Sequence, residues 1–184
     1  EIFAWGKYGG FGRATRTIGR ELVKRGIEVT AVVPRRKGQS AVETLNGITV
    51  LGFKPSNIMS AVGLLRKANA DIYHSQEPSL CTYLAMRAMP DRSHIVTFRD
   101  TRSAWDWRIE LSLPSLSTLQ VISNWIYEDS WLVRKAVREV DGRFVAAQLL
   151  IPKAKNKYHL NSDPVFLPTP VRIPVSVEKS VVPT

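Results

Sequence analysis

The chain has 184 residues, 44% of them hydrophobic and 23% charged, with a mean hydropathy of −0.11, a profile that excludes intrinsic disorder and collagen-like repeats. One cysteine, Cys81, and three histidines are too few for an internal disulfide or a structural zinc cluster, and a domain of this length buries enough surface to need neither. Lys and Arg number 26 against 16 acids, a formal charge of +10, so the expected partners are anionic: nucleic acid, phosphorylated metabolites or a membrane surface. No apolar stretch approaches the roughly 20 residues that cross a bilayer, and the opening residues lack the pattern of a signal peptide. A cytoplasmic chain is expected. It begins without Met, inside an apolar run, which suggests an opening strand that has lost its first residues and a fragment of something longer.

Strand-length apolar runs alternate with helix-length periodic segments, the pattern of parallel strands joined by helical crossovers. The predicted fold is α/β, a Rossmann-like doubly wound, mostly parallel sheet. Ile2 to Trp5 reads as the end of a strand, and Gly6 to Gly12 as a glycine-dense turn into a helix closed by Gly26. The run Glu28 to Val33 is a strand ended by Pro34, the basic loop Arg35-Arg36-Lys37-Gly38 follows, and Ile48 to Phe53 is the next strand. A helix through Ile58, Val62, Leu65 and Ala68 leads to the strand Asp71 to His74, and a helix around Leu80 to Met89 leads to the strand Ile95 to Phe98.

After Asp100 the rhythm breaks: Thr101 to Pro114 reads as irregular and rich in Arg and Trp, followed by one long helical segment through Trp125, Leu132, Val133 and Val137. Phe144-Val145-Ala146 and Val165-Phe166-Leu167 are the last two candidate strands. The four prolines from Pro168 to Pro183 mark a tail that reads as a linker, which divides the chain into a domain over 1–170 and an interdomain linker over 171–184.

Glycines at 6, 9, 10 and 12 between a strand and a helix leave backbone N–H groups uncovered at a helix N-terminus, a setting that favours a diphosphate. It is not a regular dinucleotide fingerprint, since Thr15 takes the third glycine position and no acidic residue ends the second strand to hold a ribose. A tight turn with no ligand is the competing reading. On the helix that follows, Phe11, Ala14, Ile18 and Leu22 form an apolar stripe, while Arg13, Arg16, Arg20 and Lys24 form a basic row that meets either solvent or an anionic membrane.

Open α/β sheets bind ligands at the carboxyl ends of their strands, which draws attention to His74-Ser75-Gln76-Glu77 and Arg99-Asp100-Thr101-Arg102. The segment Arg102, Trp105, Asp106, Trp107, Arg108 combines aromatic faces and cations suited to a sugar, a phosphate or single-stranded nucleic acid, with a buried Trp pair as the structural alternative. Gly-x-Ser-x-Gly, Walker and His-Glu-x-x-His patterns are absent from the sequence.

In their order, Tyr8-Gly9-Gly10-Phe11-Gly12, Glu21 to Thr30, Ala70 to Ser75, Ile95 to Asp100, Val140 to Ala146 and Phe166 to Val171 resemble the N-terminal half of family 4 retaining glycosyltransferases of GT-B architecture. The resemblance implies an acceptor-side domain of a hexosyltransferase that moves a sugar from a nucleotide-sugar donor to a sugar or lipid-linked acceptor, with no cofactor and no metal. Gly9, Gly10 and Gly12 would approach the donor phosphates. His74, Gln76, Glu77, Arg102 and Trp105 would surround the acceptor, with Asp100 and Arg99 at the chemistry. Arg99 stands where that family usually has histidine, and a guanidinium cannot serve as a base at neutral pH, so its implied role is electrostatic. The nucleotide-gripping domain with its paired glutamates is missing from 1–184, so the fragment alone is expected to be inactive. Peripheral contact with an anionic membrane is a further implied partner. A basic nucleic-acid-binding module is the main rival, with nucleic acid ranked below sugar substrates, and a GT-B-like epimerase is the third reading.

Overall fold

The computed structural model describes residues 10–113 and 117–169, without the side chain of Phe11. The predicted strand Ile2 to Trp5, Gly6, Gly9 and the linker 171–184 lie outside the described residues. Seven helices and seven strands alternate among the described residues: α1 (Gly10–Lys24), β1 (Thr30–Pro34), β2 (Val42–Leu45), β3 (Ile48–Phe53), α2 (Ser60–Ala68), β4 (Ile72–Ser75), α3 (Leu80–Ala88), β5 (Ser93–Phe98), α4 (Ala104–Ser112), α5 (Thr118–Asp129), α6 (Trp131–Glu139), β6 (Gly142–Val145), α7 (Leu150–Tyr158) and β7 (Val165–Phe166). One sheet has the order β4-β5-β6-β7 and is parallel throughout; the other has the order β1-β3-β2. The predicted α/β architecture is present, with helices between the successive strands of the four-stranded parallel sheet, while β1 and β3 are joined through β2.

The second sheet contains a strand the sequence reading missed. β2 pairs antiparallel with β3 through a turn at Asn46 and Gly47, whose φ values of 54° and 80° suit the twist of a two-residue hairpin. Asn-Gly between Val42–Leu45 and Ile48 is itself a hairpin signature, overlooked beside the basic loop before it. α1 closes as predicted: Gly26 at φ 78° lets Gly26 N donate to Val23 O and Ile27 N to Leu22 O, capping the last carbonyls. The helix lies close to β3, because a Cβ on Gly19 would stand 2.7 Å from Ile48 Cδ1. The basic row is not uniformly solvated: Arg16 Nε donates to Asn46 Oδ1 at 2.8 Å, and Glu21 pairs with Arg20 at 3.5 Å and with Lys24 at 2.9 Å.

Two expectations for the middle of the chain are corrected. Within the stretch expected to be irregular, Ala104–Ser112 is helical. Ser103 and Asp106 form a capping box that starts α4, with Ser103 N donating to Asp106 Oδ2 at 2.6 Å and Asp106 N to Ser103 Oγ at 3.3 Å. The single long helix is two, because Ser130 at φ −64°, ψ 163° is extended and separates α5 from α6. Helix α7 was not anticipated either.

The core has three parts. Phe53, Leu65, Tyr73 and Leu84 join β3, α2, β4 and α3 and so connect the two sheets. Val96, Phe98, Val137, Val145 and Tyr158 pack β5 and β6 against α6 and α7. Val33, Ile48 and Val50 form the third part beneath α1. At the flank, Asp129 is only 3% exposed, and its Oδ2 accepts from Trp107 Nε1 at 3.1 Å and meets Lys157 Nζ at 3.2 Å, while Oδ1 meets Arg134 Nε at 3.1 Å. One carboxylate thereby ties α4, α5, α6 and α7 together. Among the described residues no helix is long and apolar enough to cross a membrane.

Three substitutions test this packing. Gly19→Ala must push Ile48 inside the core and lower stability by about 1–3 kcal/mol, whereas Gly10→Ala, whose Cβ meets nothing within 4 Å, stays within about 0.5 kcal/mol of wild type in urea unfolding. Asp129→Ala leaves two cations without their partner in a desolvated place and costs about 3–5 kcal/mol in the same measurement.

Candidate functional site

The parallel pairing of β4 with β5 aligns His74 with Ile95 and Ser75 with Val96, so the segments that leave the two strands emerge side by side. His74, Gln76, Glu77 and Arg99 converge there. His74 Nε2 lies 2.7 Å from Thr97 Oγ1, and Gln76 Nε2 lies 3.0 Å from His74 Nδ1. Arg99 Nη2 and Thr15 Oγ1 both donate to Gln76 Oε1, the latter at 3.4 Å. Gln76 is thus oriented with its oxygen toward Arg99 and its amide nitrogen toward the imidazole. It follows that His74 Nδ1 accepts and Nε2–H donates to Thr97. Through Thr15, the same cluster touches α1 one turn from Gly10 and Gly12.

Glu77 closes the other side. Its Oε2 accepts from the backbone N–H groups of Arg99 at 2.9 Å and Asp100 at 3.3 Å, holding the loop that leaves β5. Burial, joined by the neighbouring Arg99 cation, lowers His74 from 6.5 to about 4. A proton on Nδ1 would also face the Gln76 amide hydrogens. Burial pushes Glu77 from 4.5 up to about 8, against the pull of its two backbone donors. Near neutral pH the imidazole is uncharged, Glu77 is mostly a carboxylic acid, and the positive charge in the cluster resides on Arg99.

The remaining predicted residues occupy different settings. Gly10 is exposed in the first turn of α1 and has no positive φ; Gly12 is buried in the same turn. Asp100 sits at the lip of the cluster, its carboxylate 58% exposed and 4.0 Å from Arg102. Arg102 is engaged by Glu110 at 3.0 Å and Glu128 at 3.3 Å and lies 4.8 Å from the centre of the Trp107 ring. With its charge already answered by carboxylates, Arg102 braces α4 and α5. The supposed Trp pair divides: Trp107 is buried at 6% exposure, while Trp105, at 66%, stands on the outside of α4.

Sequence reasoning missed Thr97 and Thr15 as members of this cluster. Thr97 carried a usable signal, since a hydroxyl inside the apolar run Ile95 to Phe98 must find a partner if the strand is buried on both faces. Thr15 gave none, because its partner Gln76 is 61 residues away.

The family model described as Glycosyltransferase Family 4 matches residues 8–145, three quarters of the 184 residues. No curated protein matches the chain. The matched stretch contains Gly10, Gly12, His74, Gln76, Glu77, Arg99 and Asp100 together.

The protonation of Glu77 has a measurable sign. Its folded pKa lies above its unfolded value, so its stabilising contribution is complete below about 4.5 and is lost as pH rises through 8; depressed His74 behaves oppositely, losing stability as pH falls from 6.5 toward 4. Glu77→Gln keeps an oxygen for both backbone donors but cannot ionise. Its stability relative to wild type should rise by about 2–3 kcal/mol between pH 6 and 9 in urea unfolding, and a pH-independent difference would contradict a protonated Glu77.

Proposed function

The chain belongs to glycosyltransferase family 4, which makes glycosyl transfer its reaction class, and we propose that within this class it supplies the acceptor-side domain of a retaining hexosyltransferase. In this reading a nucleotide sugar is the donor and a sugar or lipid-linked molecule is the acceptor. The single observation that carries it is the convergence of His74, Gln76, Glu77 and Arg99 at the exit of β4 and β5, joined by Thr15 to the opening of α1.

The chemistry of these groups suits a sugar beside a diphosphate. Protonated Glu77 offers its O–H without adding charge, as hydroxyl recognition requires, while neutral His74, its two ring nitrogens engaged by Thr97 and Gln76, positions the Gln76 amide. Arg99 is the local cation that answers negative charge developing on a leaving diphosphate, and its guanidinium does not act as a base. Asp100, exposed at the lip, is the carboxylate free to meet an acceptor hydroxyl. Gly10 and Gly12, with Gly9 before them, present N–H groups to the donor phosphates. Trp105 offers an exposed ring to an acceptor sugar, while the braced Arg102 contributes position more than charge. The reaction needs a nucleotide-gripping partner domain, no metal and no cofactor, and the setting is cytoplasmic, at or near the inner face of a membrane.

Gly10→Ala in the full-length enzyme tests this reading. The added methyl meets no protein atom within 4 Å, so the melting temperature should not change. If donor phosphate approaches this backbone, transfer should fall by a barrier of about 2–4 kcal/mol. Wild-type turnover in this variant would remove Gly10 from the donor site.

A further inference from the structure

Beside the loop that leaves β5, two hollows adjoin. The first, of about 560 Å3, is polar, with Thr101, Arg102, Lys153 and Lys157 on its wall. The second, of about 290 Å3, runs between α4 and α5 and is lined by Trp107, Leu111, Val121, Ile122 and Trp125. Ala104, Asp129 and Arg134 line both, so the two hollows meet at these residues.

The polar hollow has the charge and the vacant donor that an anion requires. Asp129 meets two cations, Arg134 and Lys157, which leaves a surplus positive charge on the wall. Lys153 adds another, partly offset by Asp106 on the same wall; it is exposed and makes no ion pair within 4 Å among the described residues. Thr101 is 6% exposed, and its buried hydroxyl has no hydrogen-bond partner among the described residues. A buried hydroxyl in that state points to a polar group that arrives from outside. The apolar groove, in turn, opens onto uncovered hydrocarbon: Leu111 is 48% exposed, Ile122 44%, Trp125 43% and Leu119 80%.

We propose that the joined hollows bind one phosphorylated lipid, with its phosphate head among Thr101, Arg134, Lys153 and Lys157 and its hydrocarbon chain along the α4–α5 groove. Resting on the acceptor-side reading, this names the acceptor class as a lipid phosphate or a lipid-linked phosphate sugar. A single molecule is favoured over general bilayer adhesion because only one inserted headgroup can reach the buried Thr101 hydroxyl, while the groove is large enough to take only part of one chain.

The test titrates dodecyl phosphate, kept below its micelle concentration, into the chain and reads the intrinsic tryptophan fluorescence, to which Trp107 and Trp125 contribute from the groove. Inorganic phosphate and neutral dodecyl maltoside serve as the two half-ligands. Saturable binding at least about tenfold tighter than either half is expected. Thr101→Val, which keeps the shape, and Lys153→Glu, at an exposed position, should each weaken it about three- to tenfold without moving the melting temperature. Ile122→Asn should abolish the advantage of the hydrocarbon chain. Equal affinity for dodecyl maltoside, or wild-type affinity in both Thr101→Val and Lys153→Glu, would overturn the site. So would binding seen only on phosphatidylglycerol vesicles and not with monomeric dodecyl phosphate. If the chain binds dodecyl phosphate as described but the full-length enzyme glycosylates no acceptor of any kind, the lipid site stands and the acceptor-side reading falls.

Discussion

A buried carboxylate holds the functional half of this domain together. Asp129 is 3% exposed, and a charge in that position persists only if donors surround it. The donors come from three elements: the Trp107 indole of α4, the Arg134 guanidinium of α6 and the Lys157 ammonium of α7. Lys157 then donates to Arg102 O at 2.7 Å, which carries the constraint into the loop after β5. That loop is also held by Glu77 through the N–H groups of Arg99 and Asp100. The segment bearing the candidate catalytic residues is therefore fixed at both ends, by one carboxylate from the helical flank and another from the exit of β4.

The two carboxyl groups are buried in different surroundings. Asp129 meets two cations and an indole N–H, so burial is compensated by charge. Glu77 is buried among backbone donors and close to the acidic Asp100 and Glu128, so the proton is the cheaper means of neutralisation. His74 reaches neutrality by the other route: burial and Arg99 both oppose a second proton. The result near neutral pH is a cluster in which His74, Gln76 and Glu77 carry no charge and Arg99 supplies the cation.

The strand exits were legible in the sequence because parallel α/β chains must place their polar residues where apolar runs end. His74, Gln76, Glu77, Arg99 and Asp100 all fall at such ends, and the structure brings them together. The errors have equally local causes. Asn46-Gly47 was passed over although both residues suit positive φ, and so β2 was missed. The box of Ser103 and Asp106 was read as part of an Arg/Trp loop, since the aromatic content of 101–114 drew attention from its helix-start chemistry. The break at Ser130 had no strong local signal. Ser is common inside helices as well as at caps, and only the packing of α5 and α6 on different neighbours requires the chain to turn there.

Periodicity and turn chemistry, which act over a few residues, determined by themselves the α/β alternation, the Gly26 cap, the positions of most strands and the places where functional side chains leave them. Tertiary structure alone decided protonation, orientation and partnership. Gln76 is aimed by Thr15 and Arg99, which lie 61 and 23 residues away, and Trp107 reaches Asp129 across 22. The surrounding burial that makes His74 neutral and keeps Glu77 protonated is assembled from α1, β4 and the loop after β5. A pKa depends on the free energy of a charge in its surroundings, and in this chain those surroundings exist only once distant segments have excluded water.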